Sequence, residues 1–162
     1  MLHLLRKNIA KPFTKTCNLY IDGKSGITLT ASTYNHGGLN VEKPNSVISG
    51  IISNPEELGQ QIKQKLNECE YKEEFNYSNA KKSDWPAYKA SGLRTIKTFE
   101  ATFIQYTISG ANSSNIILTI NSPAYQNNIQ LTSSISASAT PFLIGEWAIK
   151  FHSFFLKIEK VT

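Results

Sequence analysis

From Ala101 to Gly145 the chain carries no Asp, Glu, Lys or Arg. Histidine is scarce too, confined to positions 3, 36 and 152, and no pair has the i, i+4 spacing of a helical zinc site. Cysteine is limited to Cys17 and Cys69, which do not form a CxxC unit. The ligand count of a structural or catalytic metal centre is not met, and no cofactor is expected. Two cysteines in a chain with an adequate core read as buried free thiols. Long apolar runs are missing as well: none approaches the roughly 20 residues that cross a bilayer. The opening Met1-Leu2-His3-Leu4-Leu5-Arg6-Lys7 places charge after a very short apolar stretch, the reverse of a secretory signal. The expectation is a cytoplasmic protein with no membrane partner. In that setting the glycosylation-type triplets at Asn76 and Asn112 carry no meaning.

What is present suffices for a folded domain. The chain has 162 residues, 40% of them hydrophobic and 10% aromatic, so it can offset the entropy of ordering and reads as one domain over residues 1–162. Its net charge is +5. A basic balance permits nucleic-acid or acidic-protein partners and proves neither. Arg6, Lys7, Lys11 and Lys15 precede the first acidic residue, Asp22. They could touch phosphates, which makes a small basic nucleic-acid-binding module the alternative reading. Only Phe13 supplies an aromatic among them, so a stacking platform for single strands is absent and a solvated arm is preferred.

Patterning points to α+β. Cys17, Leu19 and Ile21 alternate with Asn18, Tyr20 and Asp22; past Gly23-Lys24-Ser25-Gly26, Ile27, Leu29 and Ala31 alternate with Thr28, Thr30 and Ser32. Alternation on both sides of a glycine-bearing loop predicts a hairpin. Val47–Ile52 reads as a buried strand or a connector. Asn54 or Ser53 as cap, Pro55 at the first position and Glu56 and Glu57 in the first turn start a helix. Leu58, Ile62, Leu66 and Cys69 carry its apolar stripe to about Glu70. Tyr71 to Ser91, interrupted by Trp85-Pro86, reads as an excursion with little regular structure. Leu93, Ile96 and Phe99 mark a short helix or a strand. Strands follow at Ile104–Ile108 and Ile116–Ile120, with a third from Ile129 to Ile135, as an antiparallel meander. Ile144, Trp147, Ala148, Phe151, Phe154, Phe155 and Ile158 have helical spacing. The sum is an antiparallel sheet of five to six strands packed with two or three helices.

Catalytic motifs do not assemble. Gly23-Lys24-Ser25 resembles the end of a phosphate-binding loop, but Asn18 stands where the motif needs glycine and no helix follows. Ser25 lacks the spacing of a nucleophile elbow. His36 sits among turn residues and reads as a hairpin-tip side chain, His152 as a packed one bordering an apolar stripe. Glu56 and Glu57 are adjacent and diverge by about 100° on a helix, so they are not an acid pair. The chain is therefore read as a binding protein and not an enzyme. Trp85 either anchors a partner or pins its own loop to the domain, and the second reading is preferred. The uncharged stretch is the sharpest feature, because sheet edges are usually guarded by Lys, Pro or inward charge. Either these strands are interior, or an edge is open for another chain. Both readings remain open at this point. In the second, the partner-contact candidates are Trp85, Ile117, Thr119, Asn121, Tyr125, Gln130 and Thr132.

The order of these pieces resembles the immunity proteins of bacterial contact-dependent growth inhibition systems. The resemblance runs over most of the chain and rests on short structural motifs. These are Asn54-Pro55-Glu56-Glu57-Leu58-Gly59 opening the helix, Leu66 closing its stripe, the Trp85 segment, Lys97-Thr98-Phe99 and the uncharged hairpin strands. It implies a cytoplasmic, non-enzymatic α+β domain that blocks one cognate toxin C-terminal domain, often a nuclease. It also implies β-augmentation, since some members accept a toxin hairpin that extends their sheet. The basic charge is a departure, as inhibitors of cationic nucleases tend to be acidic.

Overall fold

The computed structural model describes residues 14–36, 38–74, 84–110, 117–123 and 130–159. Along the chain lie β1 (Lys15–Asp22), β2 (Ile27–His36), β3 (Leu39–Glu42), β4 (Ile48–Ile51), α1 (Pro55–Asn67), β5 (Glu70–Tyr71), α2 (Pro86–Ser91), α3 (Ile96–Thr102), β6 (Phe103–Gly110), β7 (Ile117–Asn121), β8 (Thr132–Ser136) and α4 (Pro141–Glu159). The strands form one sheet in the order β3-β2-β1-β6-β7-β8, with the short β4 and β5 also paired to β2. All pairings are antiparallel except β2 with β5. The α+β class and the antiparallel sheet are as the sequence predicts; among the described residues six strands lie on the main path, β4 and β5 add to β2, and the helices number four, more than the two or three expected.

The first hairpin follows from local chemistry. Asp22 accepts from the Lys24 amide at 2.8 Å and from the Ser25 hydroxyl. Gly26, at φ 70, closes the loop with its amide on the Asp22 carbonyl. In α1 the expected start is observed: Asn54 Oδ1 accepts from the Glu57 amide at 3.2 Å while its Nδ2 donates to the Glu57 carboxylate at 3.0 Å.

Several expectations are corrected. Helix α1 ends at Asn67, because the Glu68 amide closes back onto Gln64 and Leu66 and the chain turns into β5. Cys69 is buried beyond the helix rather than on its stripe. The segment over Val47–Ile52 is a strand, but a half-exposed one along β2. Trp85-Pro86 starts a helix instead of interrupting the chain, since proline's fixed φ suits the first helical position. Ile96 and Phe99 fall in helix α3, capped by Thr95 Oγ1 on the Thr98 amide at 3.1 Å, while Leu93 lies in the connection before it. The third strand of the meander runs over Thr132–Ser136, while its expected start, Ile129, lies outside the described residues. Both cysteines are buried free thiols, and burial pushes the Cys17 thiol far up, with Cys69 adding to the effect.

The sheet has two unequal covers. On one face Cys17, Leu19, Ile21, Tyr106, Ile108, Leu118 and Ile120 pack under Leu58, Ile62 and Leu66 of α1 and Ile144, Ala148, Phe151 and Phe155 of α4. On the other face α2 and α3 cover only the β1–β2 half, where Tyr20 and Leu29 meet Ala87, Phe99 and Phe103. Strand β1 is consequently buried on both sides, so Asn18 and Tyr20 face a second core where alternation suggested solvent. Over β6, β7 and β8 that second face presents Thr107, Ser109, Thr119, Asn121, Thr132 and Ser134, half-exposed or exposed.

Candidate functional site

Strand β8 ends the sheet. One side pairs with β7 in the register Leu118↔Ile135, Thr119↔Ser134, Ile120↔Ser133 and Asn121↔Thr132. Its other side carries main-chain groups with no neighbouring strand among the described residues. The sequence of β8, Thr-Ser-Ser-Ile-Ser, contains neither charge nor proline, two of the usual guards against strand addition. The two sequence readings of the uncharged region each describe part of it: β6 and β7 are interior, and β8 is the edge.

Beside that edge lies a groove. Ser133 and Ile135 face α4, and Ser133 Oγ accepts from Trp147 Nε1 at 3.0 Å. Leu143, Trp147, Lys150 and Phe154 recur at i, i+4, i+7 and i+11 along one flank of α4. Together with Leu131, Ile135 and Ala139 they enclose an open groove of about 610 Å³. Its outer wall is unusually apolar for a helix surface, with Leu143 47% and Phe154 57% exposed and Phe142 exposed beside them. The charged members, Glu146 and Lys150, pair with each other at 3.4 Å.

The structure brings five of the sequence candidates together. Thr119 Oγ1 meets Ser134 Oγ at 3.2 Å, and the Thr132 hydroxyl donates to Asn121 Oδ1 at 2.8 Å. Gln130 Nε2 reaches the Ser122 carbonyl at 3.4 Å, and Ile117 lies opposite Ser136. Tyr125 lies outside the described residues, as do Arg6, Lys7 and Lys11 of the basic arm. Trp85 stands apart, on the β1–β2 half. Its indole donates to Tyr20 OH at 3.2 Å and packs edge-on against Phe99 at 5.0 Å, so it holds α2 to the domain. What the sequence reading missed is the α4 flank. The signal was there: apolar residues on α4 spread over Phe142, Leu143, Trp147 and Phe154 as well as the core stripe, wider than one buried face requires.

The histidines occupy structural settings. His36 Nδ1 lies 2.9 Å from the Lys72 carbonyl at the β2–β3 hairpin. His152 is buried, with Nδ1 2.6 Å from Tyr106 OH, and burial lowers its pKa from the usual value near 6.5. An unfolded chain gains this proton below about pH 6.5 whereas the folded chain resists it. Stability from this group is therefore complete above that pH and falls on acidification, by up to about 1.4 kcal/mol per pH unit, until the folded pKa is reached. Denaturant unfolding between pH 8 and pH 5 is expected to show the stability gap between wild type and His152→Gln shrinking as pH falls. A pH-independent gap would contradict this account. Among the described residues no three or more His, Cys, Asp or Glu are placed to share a metal ion, and no helix is long and apolar enough to cross a membrane.

No family model and no curated protein matches the chain. Solved structures do match in fold. A protein of unknown function from Neisseria meningitidis, NMB0488, superposes with a TM-score of 0.57 at 14% identity, covering 83% of this chain and 91% of that one. A chain of the CdiA-CT/CdiI toxin and immunity complex from Yersinia pseudotuberculosis superposes with a TM-score of 0.59 at 11% identity, covering 83% of this chain and 92% of that one. The mixed α/β fold is thus shared with a chain of a toxin and immunity complex.

Proposed function

We propose that this chain is an immunity protein that binds and neutralises the toxin domain of a contact-dependent growth inhibition system, adding a toxin strand to the open edge of β8. The observation that carries the proposal is the unguarded, uncharged edge, in a fold shared with a chain of a toxin and immunity complex. Main-chain hydrogen bonds along β8 supply affinity in such an arrangement, and side-chain contacts supply specificity. No catalysis by this chain is involved.

The test starts from co-expression and co-purification with the toxin domain encoded immediately upstream. Proline in β8 then probes the edge. Neighbouring residues of an edge strand send their amides alternately inward and outward, so of Thr132→Pro and Ser133→Pro one deletes an outward donor. Thr119 serves poorly here, because β7 is a central strand and proline would break the fold itself. The outward-donor variant is expected to stay folded by circular dichroism, lose at least about tenfold in affinity by calorimetry, and lose growth protection. Charge reversal at Arg6 and Lys7 is expected to change binding by less than ~1 kcal/mol. If the arm variants abolish binding with a steep salt dependence while both prolines are silent, the edge reading fails and an electrostatic interface replaces it.

A further inference from the structure

The β8 edge and the α4 flank form one continuous surface, and their chemistry specifies more than a strand. We infer that the groove between β8 and α4 selects a toxin strand bearing large, uncharged, apolar side chains at alternate positions; this rests on the strand-addition reading above. The geometry is that of the pleat. Ser133 and Ile135 face α4, and a strand added about 4.8 Å outside β8 points every second side chain the same way. Those side chains enter the groove between Leu131 and Ile135 on the sheet and Leu143, Trp147 and Phe154 on the helix.

Size and charge narrow the occupant. At about 610 Å³ the groove is in the range of pockets that bury whole ligands, roomy enough for large side chains rather than alanine or serine. Its charged lining is one residue of each sign: Glu146 and Lys150 pair with each other at 3.4 Å, and no charge comes from the chain between Ala101 and Gly145. A charged side chain placed there loses water against a mostly apolar wall and must compete with the Glu146–Lys150 pair for an opposite charge, a cost that apolar side chains do not incur. Leu143 and Phe154 gain burial from the same event, since both are about half exposed without a partner. The Trp147 indole, positioned by Ser133, is the residue type that dominates such anchor sites.

Phe154→Asp and Leu143→Asp test the inference, because both side chains are exposed and neither lies in the core. Each variant is expected to unfold like wild type yet bind the upstream-encoded toxin domain at least about tenfold more weakly. Hydrogen exchange on the complex identifies the toxin segment protected by binding. That segment is expected to carry Leu, Ile, Val, Phe or Met at two alternate positions, and Asp at either should mimic the groove variants. If proline in β8 abolishes binding while Phe154→Asp and Leu143→Asp bind normally, the groove inference falls and strand addition stands. A protected toxin segment charged at its groove-facing positions overturns the inference as well. Full binding by the proline and aspartate variants alike overturns both. Sedimentation of the chain alone closes the remaining route: a dimer disrupted by Phe154→Asp would assign the groove to a second copy and overturn the choice of occupant.

Discussion

Alanine at Gly59 or Gly145 is expected to unfold the protein or cost it about 3–5 kcal/mol, one methyl group notwithstanding. Helices α1 and α4 meet backbone to backbone through a reciprocal pattern. Each begins with proline and has glycine four residues later, Pro55 with Gly59 and Pro141 with Gly145. Each glycine lies against the other helix's proline. A Cβ on Gly59 would sit 1.7 Å from the Pro141 carbonyl oxygen, and one on Gly145 would sit 1.8 Å from the Pro55 carbonyl oxygen. Carbon contacts favour about 3.5–4.0 Å, so relief requires the helices to part, and no flexible side chain is available to yield. Parting them loosens Leu58 and Ile62 against Ile144 and Ala148, the centre of the larger core. Proline suits each helix start because its missing amide would lack a helical partner anyway, and it is the missing Cβ of the facing glycine that lets the proline carbonyl approach. Gly23→Ala is the control: nothing lies within 4 Å of its Cβ, and the change should stay within about 0.5 kcal/mol. Chemical unfolding monitored by far-ultraviolet circular dichroism separates these outcomes. Near-wild-type stability of Gly59→Ala would mean that α1 and α4 do not pack this closely in solution.

That crossing also marks where sequence stops being legible. The start of α1 could be read because its signals are local: a cap at Asn54, Pro55, then two acids within one turn. The first hairpin and the meander were legible for the same reason, through alternation and a short loop. Gly59 gave no such signal, since its meaning depends on Pro141, more than 80 residues away. Alternation in β1 correctly separated the two faces of the strand but could not say that both are covered. The second cover is assembled from α2 and α3, and Trp85-Pro86 on its own reads as a break. The candidate site divides in the same way. The missing charge from Ala101 onward was visible in sequence, whereas the identity of the edge strand follows from strand order, which pairs β6 with β1 and leaves β8 last. The groove needed one more tertiary fact, the rotation of α4 that buries Ile144 and Ala148 and leaves Leu143 and Phe154 outside.

Glu42→Ala is expected to be the costliest polar substitution, at about 3–5 kcal/mol, and to release α2 in the process. Glu42 ends β3 and is buried on the second face. One carboxylate oxygen accepts from Asn18 Nδ2 at 2.9 Å and from Tyr20 OH, and the other accepts from the Ala87 amide at 3.0 Å. Burial raises the Tyr20 pKa well above its ordinary value, and the neighbouring carboxylate raises it further, so the phenol stays protonated and donates. Alanine removes the shared acceptor and strands three buried donors at once, each carrying a desolvation cost of about 1–3 kcal/mol. Glu42→Gln should cost less, because its amide oxygen still accepts, but its NH₂ group must face a donor that wants an oxygen. The readout reaches beyond stability. Trp85 depends on this network through Tyr20 OH and on α2 through the chain itself. In a Trp147→Phe background, Glu42→Ala should therefore shift Trp85 emission to the red and increase its quenching by iodide, with Glu42→Gln intermediate. An alanine variant within about 1 kcal/mol of wild type, with Trp85 emission unmoved, would show that aromatic packing on Phe99 alone holds α2 in place.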